Sequence, residues 1–344
     1  MGKAKRVLAL VLSMAMGIMM ISGCGTGKAA SSSESDTSSS DKNYSDIKVG
    51  LVLTGSSKDG GWSQLAADAL ANAQKDYGCK TDFSENVATT DIEPTISGYA
   101  DAGYNIVIAH GAEFLDTCKT VAATYPNTIF ICTSAMSGKA PNVAGIDFDG
   151  YTGGFLVGTA LALATESNKI GVVEASEEGA SAEWLRGVKE GSAYINKDCQ
   201  VLSMNTGSWD DASKAKQAVD SLESQGVDAV TENCDAAGAG AVEECDALGL
   251  INVGWNNDYS QYGKSCMISF RQDITLGAEV AIKNAMDGKL KGQDNVIEIG
   301  AADGVIKVTD YAGTYANSLS DEKKAKLKEM YDMACGGKNL DDLN

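Results

Sequence analysis

From Asp46 onward, short apolar runs alternate with longer stretches whose apolar residues recur at helical spacing. Valine- and isoleucine-rich runs such as 106–109 and 169–173 predict buried strands, because strands covered on both faces are apolar throughout. Amphipathic stretches such as 62–77 and 182–196 predict the helices between them. Strands that alternate with helices form βαβ units and mostly parallel sheets. The predicted fold class is therefore α/β.

The alternating pattern occurs twice, from 47 to 147 and from 169 to 255, and each block is close to the usual size of a domain. We therefore expect two doubly wound lobes joined by a hinge. The predicted lobes are 46–147 plus about 259–291 for the first, and 148–256 plus about 292–335 for the second. A ligand cleft is expected between them, because open α/β sheets bind ligands at the carboxyl ends of their strands.

The amino terminus has the pattern of a bacterial export signal. Three basic residues precede an apolar run at 7–21 that is too short and wrongly flanked to span a membrane. The run ends in Ile-Ser-Gly-Cys24, which resembles the lipobox of bacterial lipoproteins; an ordinary signal peptide followed by a chance cysteine is the alternative. The sequence predicts a signal peptide over 1–23, lipidation of Cys24 and a flexible serine-rich tether over 24–45. The expected location is the extracytoplasmic face of the cell membrane, held by the lipid.

Composition excludes several classes of protein. The 344 residues include 28 Lys+Arg against 47 Asp+Glu, for a formal net charge of −19, and a single His. Nucleic-acid affinity depends on Lys and Arg that neutralise phosphates, so no nucleic-acid partner is expected. One His, the absence of a CxxC pair and the absence of GxSxG argue against a metal centre or an activated nucleophile. We predict no enzyme activity, no metal and no cofactor.

The cysteines permit two interpretations. The chain has nine, of which one is Cys24, and the even remainder allows disulfides in an exported protein. However, Cys132 lies in an apolar run, and Cys118 and Cys245 lie in helical patterns. This placement favours buried free thiols that behave as small hydrophobic side chains.

Residues that follow the predicted strands of the first block are candidates for ligand contact. A glycine-rich loop over 55–61 leads into a helix, and a helix N-terminus favours polar or anionic groups. The candidates at this loop are Lys58, Asp59, Trp62 and Ser63. Asp59 is also suited to cap the helix. Gly111 is a further candidate after the third strand, whereas its neighbour His110 is interpreted as a packed, hydrogen-bonded residue.

In the second block, Glu174 and Asn233 follow two of the strands, and the segment after Glu174 leads to Trp184. The candidates selected from this block and from the strand ends that follow it are Trp184, Asn256, Asp258 and Arg271. Tryptophans near a cleft stack on flat ligands, but each could equally fill the core at a seam between helix and sheet. Arg271 could pair with ligand oxygens, and a surface ion pair is the alternative.

Taken together, these residues resemble the basic membrane protein family of substrate-binding lipoproteins, which includes purine-nucleoside receptors of ABC transporters. The resemblance covers nearly all of 46–310. The segments that carry it are Asp59-Gly60-Gly61-Trp62-Ser63-Gln64, Asn142-Val143, Gly153-Gly154-Phe155-Leu156-Val157-Gly158-Thr159-Ala160, Lys169-Ile170-Gly171-Val172-Val173, Gly207-Ser208-Trp209-Asp210-Asp211, Gly226-Val227-Asp228-Ala229-Val230 and Gly254-Trp255-Asn256-Asn257-Asp258.

The resemblance implies a type I periplasmic-binding-protein fold that holds a nucleoside between aromatic rings and works with an ABC permease and ATPase. We expect the chain to be a monomer. Carried over here, the base contacts Trp62 and the region of Trp184, with polar contacts from Asp59 and Ser63. Ser63 itself stands where the family commonly has Asn.

Two departures affect recognition of the ribose. Asn256 stands where the family usually has Asp, and Arg271 lies near a family Lys. A modified nucleoside, a free base or another planar metabolite therefore stays open as the ligand. The alternative function is a receptor of the same fold that senses a sugar or other polar metabolite and feeds a signalling partner.

Overall fold

The structure is a computed structural model that describes residues 42–58, 62–290 and 295–343. The predicted signal peptide, Cys24 and most of the tether lie outside the described residues, as does Asp59. Within the part of the chain that is described, no helix has both the length and the apolar character needed to cross a membrane.

Strands and helices alternate along the chain as the sequence predicts. The strands are β1 (Lys48–Val52), β2 (Lys80–Ser84), β3 (Ile106–Ala109), β4 (Ile129–Thr133), β5 (Val143–Phe148), β6 (Lys169–Glu174), β7 (Gln200–Asn205), β8 (Ala229–Asn233), β9 (Ile251–Asn256), β10 (Cys266–Gln272), β11 (Asn295–Ile299) and β12 (Ile306–Val308). The helices are α1 (Trp62–Tyr77), α2 (Ile92–Asp101), α3 (Leu115–Val121), α4 (Gly150–Ala164), α5 (Ala180–Ile195), α6 (Ala212–Glu223), α7 (Gly238–Leu248), α8 (Ile274–Met286) and α9 (Asp321–Cys335).

The strands form two six-stranded sheets, with the order β11-β5-β4-β3-β1-β2 in the first and β12-β10-β9-β8-β6-β7 in the second. Paired strands run parallel, except that β12 is antiparallel to β10. In each sheet the first strand lies inside, so the chain winds outward in both directions from it. The predicted α/β class with two doubly wound sheets is confirmed.

The predicted division of the chain into lobes requires a correction at two strands, β10 and β11. We expected 259–291 to complete the first lobe, but β10, which lies in that range, pairs with β9 in the second sheet. We expected 292–335 to complete the second lobe, but β11 pairs with β5 in the first sheet. The placement of these two strands was wrong because it followed the order of segments along the chain, whereas strand pairing depends on tertiary contacts. Helix α8 of the first range does pack against the first sheet, and β12 of the second range pairs in the second sheet. The hinge between lobes stays a prediction.

Helices α4 and α5 pack at backbone contact distance. A Cβ added at Gly154 would overlap the carbonyl oxygen of Trp184, and one added at Gly158 would overlap that of Val188. Two glycines of α5, Gly187 and Gly191, face α4 in the same way. All residues of α4 from Tyr151 onward are buried, as expected for a helix that is apolar on every side. The second sheet is therefore covered by a closely spaced helix pair.

The eight cysteines in the described residues are free thiols, and six of them are buried. Only Cys199 and Cys335 are partly exposed. Burial disfavours the thiolate and raises the pKa of Cys118 to about 12. The interpretation of buried thiols is confirmed for these six residues.

Candidate functional site

The first sheet changes winding direction between β1 and β3, where open α/β folds bind ligands. Val52 and Ala109 are in register at the carboxyl ends of these strands, so the loops that follow them start side by side. Trp62 begins α1 after one loop, and His110 begins the other. Their rings stack with centroids 4.0 Å apart and an interplanar angle of 21°. A flat aromatic pair therefore stands at this switch point.

His110 holds that pair in place. Its Nε2 lies 3.0 Å from the carbonyl oxygen of Trp62, and its Nδ1 lies 2.9 Å from Oγ1 of Thr133. The His110 side chain is buried, whereas Trp62 is partly exposed and meets Phe148 edge to face at 6.4 Å. The interpretation of His110 as a packed residue is confirmed, and Trp62 is the ring of the pair that a ligand can reach.

The other described candidates of the first block lie around this pair. Ser63 is buried in the first turn of α1, and Lys58 is exposed in the preceding loop. Gly111 directly follows His110 with φ +144°, and a Cβ there would overlap the Glu113 carboxyl. Gly111 is thus required by the backbone conformation that brings this loop past Trp62. The structure brings Trp62, Ser63 and Gly111 to one edge of the first sheet.

The second sheet changes direction between β6 and β8, and these strands end in Glu174 and Asn233, which are in register. Glu174 is fully buried, and neither carboxyl oxygen has a hydrogen-bond partner among the described residues. Burial, with a smaller effect of Glu177, raises the pKa of Glu174 to about 7. The sequence placed Glu174 and Asn233 at strand ends, and Glu177 is exposed as expected for an acidic loop, but nothing in the sequence indicated that Glu174 is buried.

Trp184 lies within α5, and only 1% of it is exposed. Its ring packs near that of Trp255, with centroids 6.0 Å apart and an interplanar angle of 31°. Of the two interpretations, filling the core describes this ring in the structure. Nevertheless, its indole Nε1 is buried without a hydrogen-bond partner in the described part of the chain. Contact of Trp184 with a ligand stays a prediction, and Nε1 is the atom that would make it.

Asn256 and Arg271 are brought together, because they are in register on the adjacent parallel strands β9 and β10. Asn256 has φ +72°, and its Oδ1 is buried without a hydrogen-bond partner among the described residues. Arg271 is exposed beside it. Asp258 caps the following short helix, where its Oδ1 accepts from the Ser260 backbone N–H at 3.1 Å and from its hydroxyl at 2.6 Å. Asp258 therefore acts mainly within its own loop.

Glu232 supports the end of β9 from inside the sheet, a role that sequence reasoning missed. Its carboxyl accepts hydrogen bonds from Nδ2 of Asn252 at 2.6 Å and from the backbone N–H of Trp255 at 3.3 Å. Burial raises the pKa of Glu232 well above its usual value. These two donors to the carboxyl are uncharged, so they offset the burial only in part. An acidic residue within the predicted strand 228–232 was the available signal.

Two doubly wound, mostly parallel sheets, each with a switch point at the carboxyl ends of its strands, define a protein of the type I periplasmic-binding fold. A solute-binding protein of an ABC transporter system from Aeropyrum pernix has this fold; the TM-score is 0.71 at 18% identity, over 86% of this chain and 95% of that one. The predicted fold is therefore confirmed.

The chain belongs to the Bmp family, whose description is "ABC transporter substrate-binding protein PnrA-like" and which matches residues 46–333. Among its relatives is the transcriptional activator protein Med of Bacillus subtilis, 25% identical over 82% of this chain and 87% of that protein. A nucleoside-binding protein of an ABC transporter from Lactococcus lactis is 23% identical over 86% of this chain and 82% of that protein. A purine-binding protein of Brucella abortus is 25% identical over 82% of this chain and 81% of that protein. The resemblance predicted from the motifs is confirmed.

Proposed function

We propose that this solute-binding protein captures a purine-type nucleoside, or a closely related planar metabolite, for an ABC importer. The observation that carries the proposal is the partly exposed Trp62 ring, held flat on His110 at the switch point of the first sheet. Base–aromatic stacking contributes about 1–3 kcal/mol per base, so such a ring is suited to a flat ligand. The nucleoside- and purine-binding names of two relatives support this choice of ligand.

Capture depends on closure of the two lobes. A ligand that stacks on Trp62 and also contacts the second sheet gains its full set of interactions only in the closed state, so it shifts the population toward that state. Asn256 and Arg271, side by side at the ends of β9 and β10, are placed to bind polar groups of the ligand. The residues proposed to contact ligand are Lys58, Asp59, Trp62, Ser63, Gly111, Trp184, Asn256, Asp258 and Arg271. No bond is made or broken in this mechanism, and no cofactor or metal takes part.

A thermal-shift panel tests the proposal. The purified mature chain is mixed with nucleosides, free bases, sugars and amino acids at equal concentrations. A nucleoside present at about 100 times its Kd should add about 2.7 kcal/mol of stability, or about 5 °C in Tm. Sugars and amino acids should leave Tm unchanged. A shift with a sugar and none with any nucleoside or base would contradict the proposal.

The membrane anchor is tested separately. Replacement of Cys24 by alanine should leave the expressed protein in the medium or periplasm instead of the membrane fraction, because the acylated thiol is the proposed attachment. The measurement is an immunoblot of fractionated cells, with Cys79→Ala as the matched control that keeps the lipobox. Membrane retention of the Cys24→Ala protein would refute lipidation at this residue.

Sensing of a ligand, without import, is the second candidate. It is favoured by one relative's name, that of a transcriptional activator protein. The two candidates differ in what deletion of this chain changes: loss of nucleoside uptake indicates import, whereas normal uptake with an altered transcriptional response to the ligand indicates sensing.

A further inference from the structure

Glu174 lies at the switch point of the second sheet, where the attraction of Lys189 only partly offsets the burial that raises the pKa of its carboxyl group. Its side chain is 0% exposed, and both carboxyl oxygens lack a hydrogen-bond partner in the described residues. A buried carboxylate is strongly destabilising unless it is paired and hydrogen-bonded. Glu174 is thus an acceptor, at the place where such folds bind ligands, to which none of the described residues donates a hydrogen bond.

The direction of this side chain follows from the alternation along β6. Successive residues of a strand point to opposite faces, so Glu174 shares its face with Ile170 and Val172. Both of these belong to the core cluster that contains Trp184 and Trp255. The indole Nε1 of Trp184 is likewise buried and unpaired among the described residues. The layer between α5 and this face of the second sheet therefore contains two acceptor oxygens and one N–H donor that lack hydrogen-bond partners among the described residues.

The segment 148–150 contacts the Trp62 ring at one end and Trp184 at the other. Phe148, at the end of β5, meets the Trp62 ring at 6.4 Å. Gly150, two residues later, is so placed that its ideal Cβ would lie 3.6 Å from Cβ of Trp184. The segment 148–150 therefore runs from the Trp62 ring to the helix that carries Trp184.

We propose that Glu174 accepts hydrogen bonds from the edge of the bound base and that the preferred ligand is a 2-amino-6-oxopurine nucleoside, of which guanosine is the probe. This inference rests on the proposed function. The guanine edge carries two neighbouring N–H donors, at N1 and the 2-amino group, and a carboxylate can accept both in parallel. The O6 acceptor lies beside these donors and suits the N–H of Trp184. Adenine offers an acceptor at N1, which repels an ionised carboxylate.

Calorimetry with the wild-type chain at pH 8 tests the choice of base. Guanosine should bind about tenfold or more tightly than inosine, which lacks the 2-amino group, and than adenosine, because hydrogen bonds to a charged group are strong. Adenosine or inosine binding as tightly as guanosine would overturn the inference and leave the proposed function standing. Failure of every nucleoside to bind would overturn the proposed function as well.

The variant Glu174→Gln tests the residue. Guanosine affinity should fall by about 10- to 100-fold, because the glutamine amide has only one acceptor oxygen for the two N–H donors of guanine. Adenosine affinity should change little, because the amide NH2 can donate to the adenine N1 acceptor. The exposed Glu178 of the same loop is the matched control, because the charge of Glu177 itself acts on Glu174, and Glu178→Gln should keep wild-type affinities. Unchanged guanosine affinity in Glu174→Gln would overturn the inference.

Melting of the ligand-free variant confirms that it is folded and gives an independent readout. Because burial raises the pKa of Glu174 to about 7 against the opposing charge of Lys189, the wild-type carboxyl is mostly ionised at pH 8, and no described residue donates a hydrogen bond to it. Glu174→Gln removes this buried charge, so its Tm should exceed that of the wild type at pH 8, and the difference should shrink toward pH 5. A lower Tm than wild type at pH 8 would mean that the carboxylate has a structural partner, which overturns the inference.

Discussion

Replacement of Trp62 by alanine should lower the affinity for the best nucleoside of the panel about a hundredfold, with the chain still folded. The loss corresponds to about 2.8 kcal/mol, which lies within the range of base–aromatic stacking. Trp62 is partly exposed and begins α1, so its removal leaves the sheets and their cores in place. Titration calorimetry of the variant measures the change directly.

Trp209 provides the matched control for this variant. It is 43% exposed and precedes Asp211, which caps α6 by accepting from the backbone N–H groups of Ser213 and Lys214. Trp209→Ala should therefore bind the nucleoside with wild-type affinity. If Trp62→Ala and Trp209→Ala bind equally well, Trp62 is not part of the site and the stacking proposal fails.

Most of the secondary structure could be predicted from the sequence because its signals are local. The predicted strand 106–109 is β3, and the predicted helix 62–77 is α1, with the same limits in the structure. The placement of β10 and β11 could not be predicted in this way. Both are short apolar runs, and the run itself does not specify the sheet to which it adds; that depends on which sheet edge is reached after each crossover.

The candidate site shows the same division between local and tertiary information. Applied to the sequence, the rule that ligands bind at strand ends placed Trp62, His110 and Glu174 near the site. It did not give the stacking of Trp62 on His110, since the two residues are far apart in the chain and meet only through the register of β1 and β3. The rule also did not give the burial of Glu174, because burial is a tertiary property that depends on the elements packed against β6.

The contact between α4 and α5 predicts the largest effect on stability. Gly158→Ala places a methyl group where the carbonyl oxygen of Val188 lies, and neither backbone can yield as a flexible side chain would. Overpacking of this kind costs about 3 kcal/mol, or about 6 °C or more in Tm for a chain of this size. Thermal unfolding followed by circular dichroism measures the difference.

Gly98→Ala is the control of opposite sign, because this glycine lies within α2 and an added Cβ there meets nothing within 4 Å. Alanine should stabilise α2 by about 0.5–1 kcal/mol through its higher helix propensity. Each variant adds the same methyl group to a helix, so comparison of the two separates the effect of steric crowding from that of helix propensity.

Val188 lies one turn beyond Trp184 on α5, so a separation of α4 and α5 would also displace the indole N–H of Trp184. A Gly158→Ala protein as stable as Gly98→Ala would show that the helices part without cost, and that their spacing does not fix the position of Trp184.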